Sequence, residues 1–214
     1  MLYIRFPFSL RNVEDLLHER GIDVSHETVR YGWNRFGPIF ASEIRQKRVQ
    51  QLRAFSKWKW QVDEFFVKLN GKKHYLWRAV DHEGEVLEAV VIKRRNKAAA
   101  LKFLKKLMKR CGKAETVVTV RFAGHRVAVR ELGTLEKQPT GRWLNNRIEN
   151  SHLPYQQRER AIQGLRRIRS LQNFASDHSY VYNHFNQEIS LTSRDSFKLT
   201  RTAALDEWRQ LCSG

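Results

Sequence analysis

Apolar positions change their period along the chain, and each change marks a different kind of element. In SLRNVEDLLHER, Leu10, Val13, Leu16 and Leu17 share one helical face, and Gly21 ends the helix. Ser25 is a good N-cap for HETVRYGWNRFG, and Glu27 in its first turn favours the helix dipole. That second helix is expected to turn Val29 and Trp33 inward and leave His26, Arg30, Asn34 and Arg35 freer. Residues 41–57, ASEIRQKRVQQLRAFSK, have only a weak apolar face and read as a polar, basic connector, helical or not. From Trp58 the period falls to two. KWQVDEFFVKLNG, KKHYLWRAVDHEG and EVLEAVVIK predict three antiparallel strands with turns at Asn70-Gly71 and Glu83-Gly84. Residues 97–110 return to helical spacing through Leu101, Leu104, Leu107 and Met108. ETVVTVRF predicts a fourth strand, and the segment from there to Gly133 is ambiguous. Two helices between about Asn145 and Asn186, with Pro154 near the start of the first, and a last helix at AALDEWRQL complete an α/β pattern.

The first two helices, joined at a glycine turn, fit a helix-turn-helix and equally an ordinary helical hairpin. Charge favours the first. The chain has 214 residues, with 40 Lys+Arg against 22 Asp+Glu and a formal net charge of +18. A field of that sign most often serves nucleic acid, ahead of an acidic membrane or mere solubility. Hydrophobic content of 41% supports a packed core. Cys111 and Cys212 have no metal-ligand spacing and suit a reducing compartment. No apolar run approaches the ~20 residues of a membrane span, and MLYIRFPFSL lacks a signal-peptide core, so a cytoplasmic protein is expected.

Against that basic background two carboxylates stand out. Asp63 lies on the first predicted strand and Glu149, in LNNRIENSHLP, at the start of a predicted helix. If they converge, they could hold a divalent cation against a phosphodiester. Taken singly, Asp63 also fits a surface strand carboxylate and Glu149 a helix-dipole partner. Arg160 follows Glu149 by about three helical turns and is a candidate phosphate contact or a solvated charge. Asn150 and His152 are near the carboxylate but equally suit capping or core positions. The aromatics Trp58, Trp60, Trp77, Phe174 and Phe185 read as core rather than as base-stacking platforms.

FPFSLRNVEDLLHERGIDVSHETVRYGWNRFGP, VDEFFVKLNGKKHYLWRAVDHEGEVLEAVV, RELG, GRWLNNRIENSHLP, RERAIQG and SLQNFASDHSYVYNHFN run in order over nearly the whole chain. In these stretches the chain resembles the DDE transposases of bacterial insertion sequences, specifically the insertion-sequence-six family. The resemblance implies a helix-turn-helix domain (1–40, N-terminally truncated relative to the family), a basic linker (41–57), a ribonuclease-H-like catalytic domain with a mixed five-stranded sheet (58–190) and a helical tail (191–214). It implies two magnesium or manganese ions, with Asp63 as first and Glu149 as third carboxylate. The implied partner is double-stranded DNA, both terminal inverted repeats and target. Arg30, Asn34, Arg35, Arg158 and Arg160 are its expected contacts, and a homodimer or higher assembly is expected on it. A nucleoid-associated, non-membrane location follows.

One departure bears on activity. The middle Asp of the triad is replaced by Val120, and VRFAGHRVAV stands where the family has an Asp and a different segment. Agreement returns at Arg130, so the block has the extent of a compensated frameshift or local decay. Gln156 and Gln157 also stand where basic residues are usual. Val cannot coordinate a metal. Glu64 is expected on the face opposite Asp63, Asp81 in a turn, and Glu115 distant, so none is a good substitute. The expected function is metal-dependent strand cleavage and transfer, impaired here. The alternatives are a catalytically inactive DNA-binding remnant and, less favoured given LNNRIENSHLP, a ribonuclease-H-like nuclease of another role.

Overall fold

The computed structural model describes residues 2–55, 59–82, 84–119, 123–137, 157, 165, 167–185 and 193–213. Its centre is a five-stranded sheet of β1 (Lys59–Leu69), β2 (Lys72–Val80), β3 (Val86–Ile92), β4 (Thr116–Thr119) and β5 (Leu135–Lys137), in the order β3-β2-β1-β4-β5. β1, β2 and β3 pair antiparallel, whereas β4 runs parallel to β1 and β5 parallel to β4. This order and these directions are those of the ribonuclease-H-like fold, as the sequence led us to expect. The helices are α1 (Leu2–Arg5), α2 (Leu10–His18), α3 (His26–Phe55), α4 (Lys97–Cys111), α5 (Ala123–Glu131), α6 (Ile168–Phe185) and α7 (Arg194–Ser213). Among the described residues, no helix is long and apolar enough to cross a membrane.

The β1–β2 hairpin is set by its turn. Asn70 (φ 49°) and Gly71 (φ 74°) both occupy the left-handed region, which a two-residue type I′ turn requires. The register then follows by counting outward: Leu69 faces Lys72, and Asp63 faces Arg78. Alternation along β1 and β2 sends Phe65, Val67, Leu76 and Val80 into a core with Ile4, Ile44, Phe174, Phe185 and Trp208. Trp60, Val62, Trp77 and Ala79 go to the other face, against Phe103, Leu104 and Leu107 of α4 and Ala128 and Val129 of α5.

The structure decides two segments that the sequence left open and alters the buried stripe of a third. The stretch expected as a connector from residue 41 is helical to Phe55, continuous with the helix that starts at His26. Its apolar face is narrow, yet Ala41 and Ile44 are buried and Ile44 joins the core. Gly37 is needed within α3 because a Cβ there would meet the Trp33 ring at 2.8 Å. Pro38 follows inside the helix and withdraws one backbone donor. The buried stripe of α4 is Ala100, Phe103, Leu104, Leu107 and Cys111, with Leu101 and Met108 only half-buried at its flanks. The ambiguous block after β4 forms α5, which packs on α4 through Ala128 and Val129.

The free edge of β3 is closed by side chains of α6. Gln172 accepts from the Val91 N–H (2.8 Å) and donates to the Ala89 carbonyl (2.9 Å). Asn183 accepts from the Val86 N–H and donates to the Val86 carbonyl, both at 2.9 Å. Eleven helical residues advance ~16.5 Å at 1.5 Å each, and five strand residues advance the same length at ~3.3 Å each. The two amides therefore meet the edge at matching intervals and act in place of a sixth strand.

Candidate functional site

Asp63 sits at the middle of the central strand, where the sheet changes character. Among the described residues the β1–β4 ladder runs from Lys59↔Thr116 to Val62↔Thr119, the pair next to Asp63. On the other side Asp63 faces Arg78 across the antiparallel ladder. β2 and β3 lie to one side of β1, and the chain returns through α4 to β4 on the other. Asp63 thus lies on the strand where antiparallel pairing on one side gives way to parallel pairing on the other, a switch point of the kind at which open α/β sheets place their sites.

Asp63 is 4% exposed, and the Arg78 opposite it is 2% exposed. Cross-strand partners share a face, so a guanidinium stands on the side of the sheet that Asp63 uses. Asp63 Oδ1 also accepts from the Glu64 N–H at 2.6 Å. Arg78 was not singled out in the sequence, although the Asn70-Gly71 turn determines it: in a two-residue hairpin, partners are found by counting equally outward from the turn.

Glu64 and Asp81 have other occupations. Glu64 Oε2 accepts from the Trp77 indole at 2.9 Å, and Arg95 lies 3.1 Å from Oε1. Because Trp77 belongs to the α4–α5 core, Glu64 serves the face opposite Asp63, as alternation predicts. Asp81 shapes the turn after β2, accepting from the Glu85 N–H at 2.9 Å. Glu115 is exposed and precedes β4.

His125, in the segment after β4 that the sequence left ambiguous, is fully buried in α5. Its ring meets Trp77 edge-on at 4.4 Å. Burial lowers its pKa to about 4, opposed by the charge of Asp63 and assisted by that of Arg95. The imidazole is therefore neutral at pH 7 and acts as a core ring. Sequence alternation held no signal for it, because the segment was not readable as a helix.

Val120, Glu149, Asn150, His152, Arg158 and Arg160 lie outside the described residues, as does Trp58. Among the described residues no group of three His, Cys, Asp or Glu could hold a metal ion. Asp63 is a hard oxygen donor of the kind magnesium prefers, and one carboxylate alone does not make a site.

In the N-terminal helices, Ser9 caps α2 with a capping box, and the Ser25 hydroxyl accepts from the Thr28 N–H at the start of α3. His26, expected on the freer side of the helix, bonds Glu14 of α2 at 2.8 Å and clamps the two helices. Arg30, Asn34 and Arg35 are exposed on α3. Arg30 pairs with Glu27 at 2.8 Å, and Arg35 donates to the Tyr31 hydroxyl.

Residues 57–188 match the family model described as a DDE domain. The transposase for insertion sequence-like element IS431mec from Staphylococcus aureus is 32% identical over 169 residues, covering 76% of this chain and 73% of the relative. The chain belongs to the DDE transposases of the insertion-sequence-six family. A second S. aureus relative, the transposase for insertion sequence element IS257 in transposon Tn4003, matches to the same extent. Among solved structures, the catalytic core domain of BIV integrase aligns with 72% of this chain and 99% of its own at 17% identity and a TM-score of 0.46. The HTLV-2 integrase catalytic core domain in complex with magnesium aligns with 65% and 90% at 14% identity and a TM-score of 0.41. This DDE transposase thus has its first expected carboxylate on the central strand of the fold. The family is of a divalent-metal-dependent kind.

Proposed function

We propose that this transposase binds the ends of an insertion sequence and that Asp63 and Glu149 carry a weakened metal-dependent strand cleavage and transfer. The observation that carries this reading is the position of Asp63, buried at the switch point between the antiparallel and parallel halves of the sheet. Asp63 and Glu149 would hold magnesium or manganese. When bound, such ions activate the attacking hydroxyl or water and stabilise the leaving oxygen. Arg78, opposite Asp63 in the ladder, brings a positive charge to the same face of the sheet. Counting on from Val62↔Thr119, residue 120 is the position expected beside Asp63, and Val120 brings only an apolar branch there.

Exposed Arg30, Asn34 and Arg35 on α3 are proposed to contact DNA, with Arg158 and Arg160 as phosphate contacts near Glu149. We keep 1–40 as the DNA-recognition region, 41–57 as the segment joining it to the catalytic domain (58–190), and 191–214 as the tail, and expect a dimer or larger assembly on DNA. A second reading, an inactive DNA-binding remnant, is favoured by Val120 itself. The two are separated by incubating the full chain with duplexes bearing the ends of its own element, with and without magnesium. We expect binding in both conditions and nicking that is faint for the unmodified chain but raised at least ~10-fold by Val120→Asp, the scale of a ligand-sphere defect. Robust strand transfer by the unmodified chain would overturn the impairment. Inactivity of Val120→Asp despite normal folding would favour the remnant.

A further inference from the structure

Two arginines from opposite ends of the chain meet at one cavity. A space of about 220 Å³ between α1, α6 and α7 is lined by Arg5, Arg201, His178 and Tyr182, with Val181 and Phe185 in its apolar wall. A single water needs only ~10–15 Å³ of such volume, so the cavity is roomy enough for a polyatomic ion and its hydration.

The arginines are held there by rings. The Arg5 guanidinium lies 4.3 Å from the Phe185 ring centre and 5.0 Å from that of Phe6. The Arg201 guanidinium lies 5.4 Å from the ring centre of Phe197. Aromatic faces hold a cation but leave its charge in place. Among the described residues neither arginine has a carboxylate partner, although exposed arginines elsewhere, such as Arg30 and Arg209, do. Burial first, and then the charge of Arg201, lower the pKa of Arg5. Two like charges brought together in a partly buried space are unfavourable unless an anion joins them.

We propose that this cavity is a phosphate-binding site in which Arg5 and Arg201 clamp one phosphate group. Phosphate suits it better than a single carboxylate. Each guanidinium carries a planar fork of donors, and two such forks lining one cavity suit a tetrahedral oxyanion with more than one charged oxygen. Tyr182 and His178 add polar groups at the wall. The phosphate could belong to a DNA backbone or be free, and none of the residues lining the cavity is one expected to hold the metal. The DNA case rests on the transposase reading and the free-phosphate case does not.

The test uses the full chain and two probes: inorganic phosphate, against chloride at matched ionic strength, and a short duplex of arbitrary sequence. Phosphate at millimolar concentration should raise Tm by a few degrees where chloride does not. Arg201→Gln and Arg5→Gln should each weaken phosphate binding by roughly tenfold or more, the scale of a lost charged hydrogen-bond pair. If the phosphate comes from DNA, Arg201→Gln also weakens the duplex and lowers the salt slope by about one. If it is free, duplex affinity stays unchanged while phosphate affinity falls. Should Arg201→Gln fail to fold, Arg201→Lys keeps the charge but loses the fork, and its phosphate affinity should still fall several-fold. A phosphate effect equal to that of chloride, or one undiminished in the folded variants, would overturn the proposal. Duplex binding without any phosphate effect would remove this inference and leave the transposase reading standing.

Discussion

Replacing Asn183 by Leu tests whether α6 stands in for a missing edge strand. Asn183 is 2% exposed and Val86 is 1% exposed, so water cannot take over when the amide is removed. The substitution keeps the number and branching of the side-chain heavy atoms and deletes both 2.9 Å hydrogen bonds, leaving the Val86 N–H and carbonyl buried without them. Each such group costs about 1–3 kcal/mol, so the variant should lose roughly 2–6 kcal/mol. A typical domain has only ~5–15 kcal/mol in total. With a urea slope of ~1–3 kcal/mol/M, the midpoint should fall by about 1 M or more. Urea unfolding followed by tryptophan fluorescence and far-UV circular dichroism measures it. Gln172→Leu is the internal control. Gln172 is half-buried and Val91 is half-buried, so water can replace much of what is lost and the cost should be ~1 kcal/mol or less. Light scattering should also rise in the Asn183 variant, because an uncovered β3 edge offers itself to other chains. A loss below ~0.5 kcal/mol for Asn183→Leu, or a larger loss for Gln172→Leu, would refute the reasoning.

His125 makes stability depend on pH. Its folded pKa of about 4 lies below the ordinary 6.5, so the unfolded chain binds the proton first. The favourable contribution is full above pH ~6.5 and is lost as pH falls toward 4. His125→Phe should flatten that limb of a Tm-against-pH profile, and an identical slope in the variant would contradict it. On α3, Arg30→Ala with Arg35→Ala should weaken binding to element-end DNA and reduce the salt slope by up to about two. Unchanged affinity and slope in a filter-binding titration would assign the contact to another surface.

Several features are legible in the sequence because they depend on local chemistry. Asn70-Gly71 can form the tight turn that most residues resist, and that turn sets which residues of β1 and β2 face each other. Period-two alternation separated Asp63 from Glu64, and the structure gives Glu64 to Trp77 on the opposite face. Ser25 announced the start of α3 through its capping hydroxyl. The family motifs, being strings of residues, carried the membership and the identity of the expected carboxylates.

What the sequence could not determine were pairings between distant segments, since nothing local encodes them. The weak apolar face after residue 40 gave no reason to continue α3, yet burying Ile44 against the core stabilises that helix. The block around His125 became α5 because Ala128 and Val129 find an apolar surface on α4 that only the packed sheet presents. Gln172 and Asn183 looked like ordinary polar residues of a helix until that helix lay along β3. Arg5 and Arg201 share a cavity only because α1 and α7 both pack on α6. Local sequence determined the elements and the candidate chemistry, while burial and charge proximity, which depend on every neighbour at once, were decided by the tertiary structure.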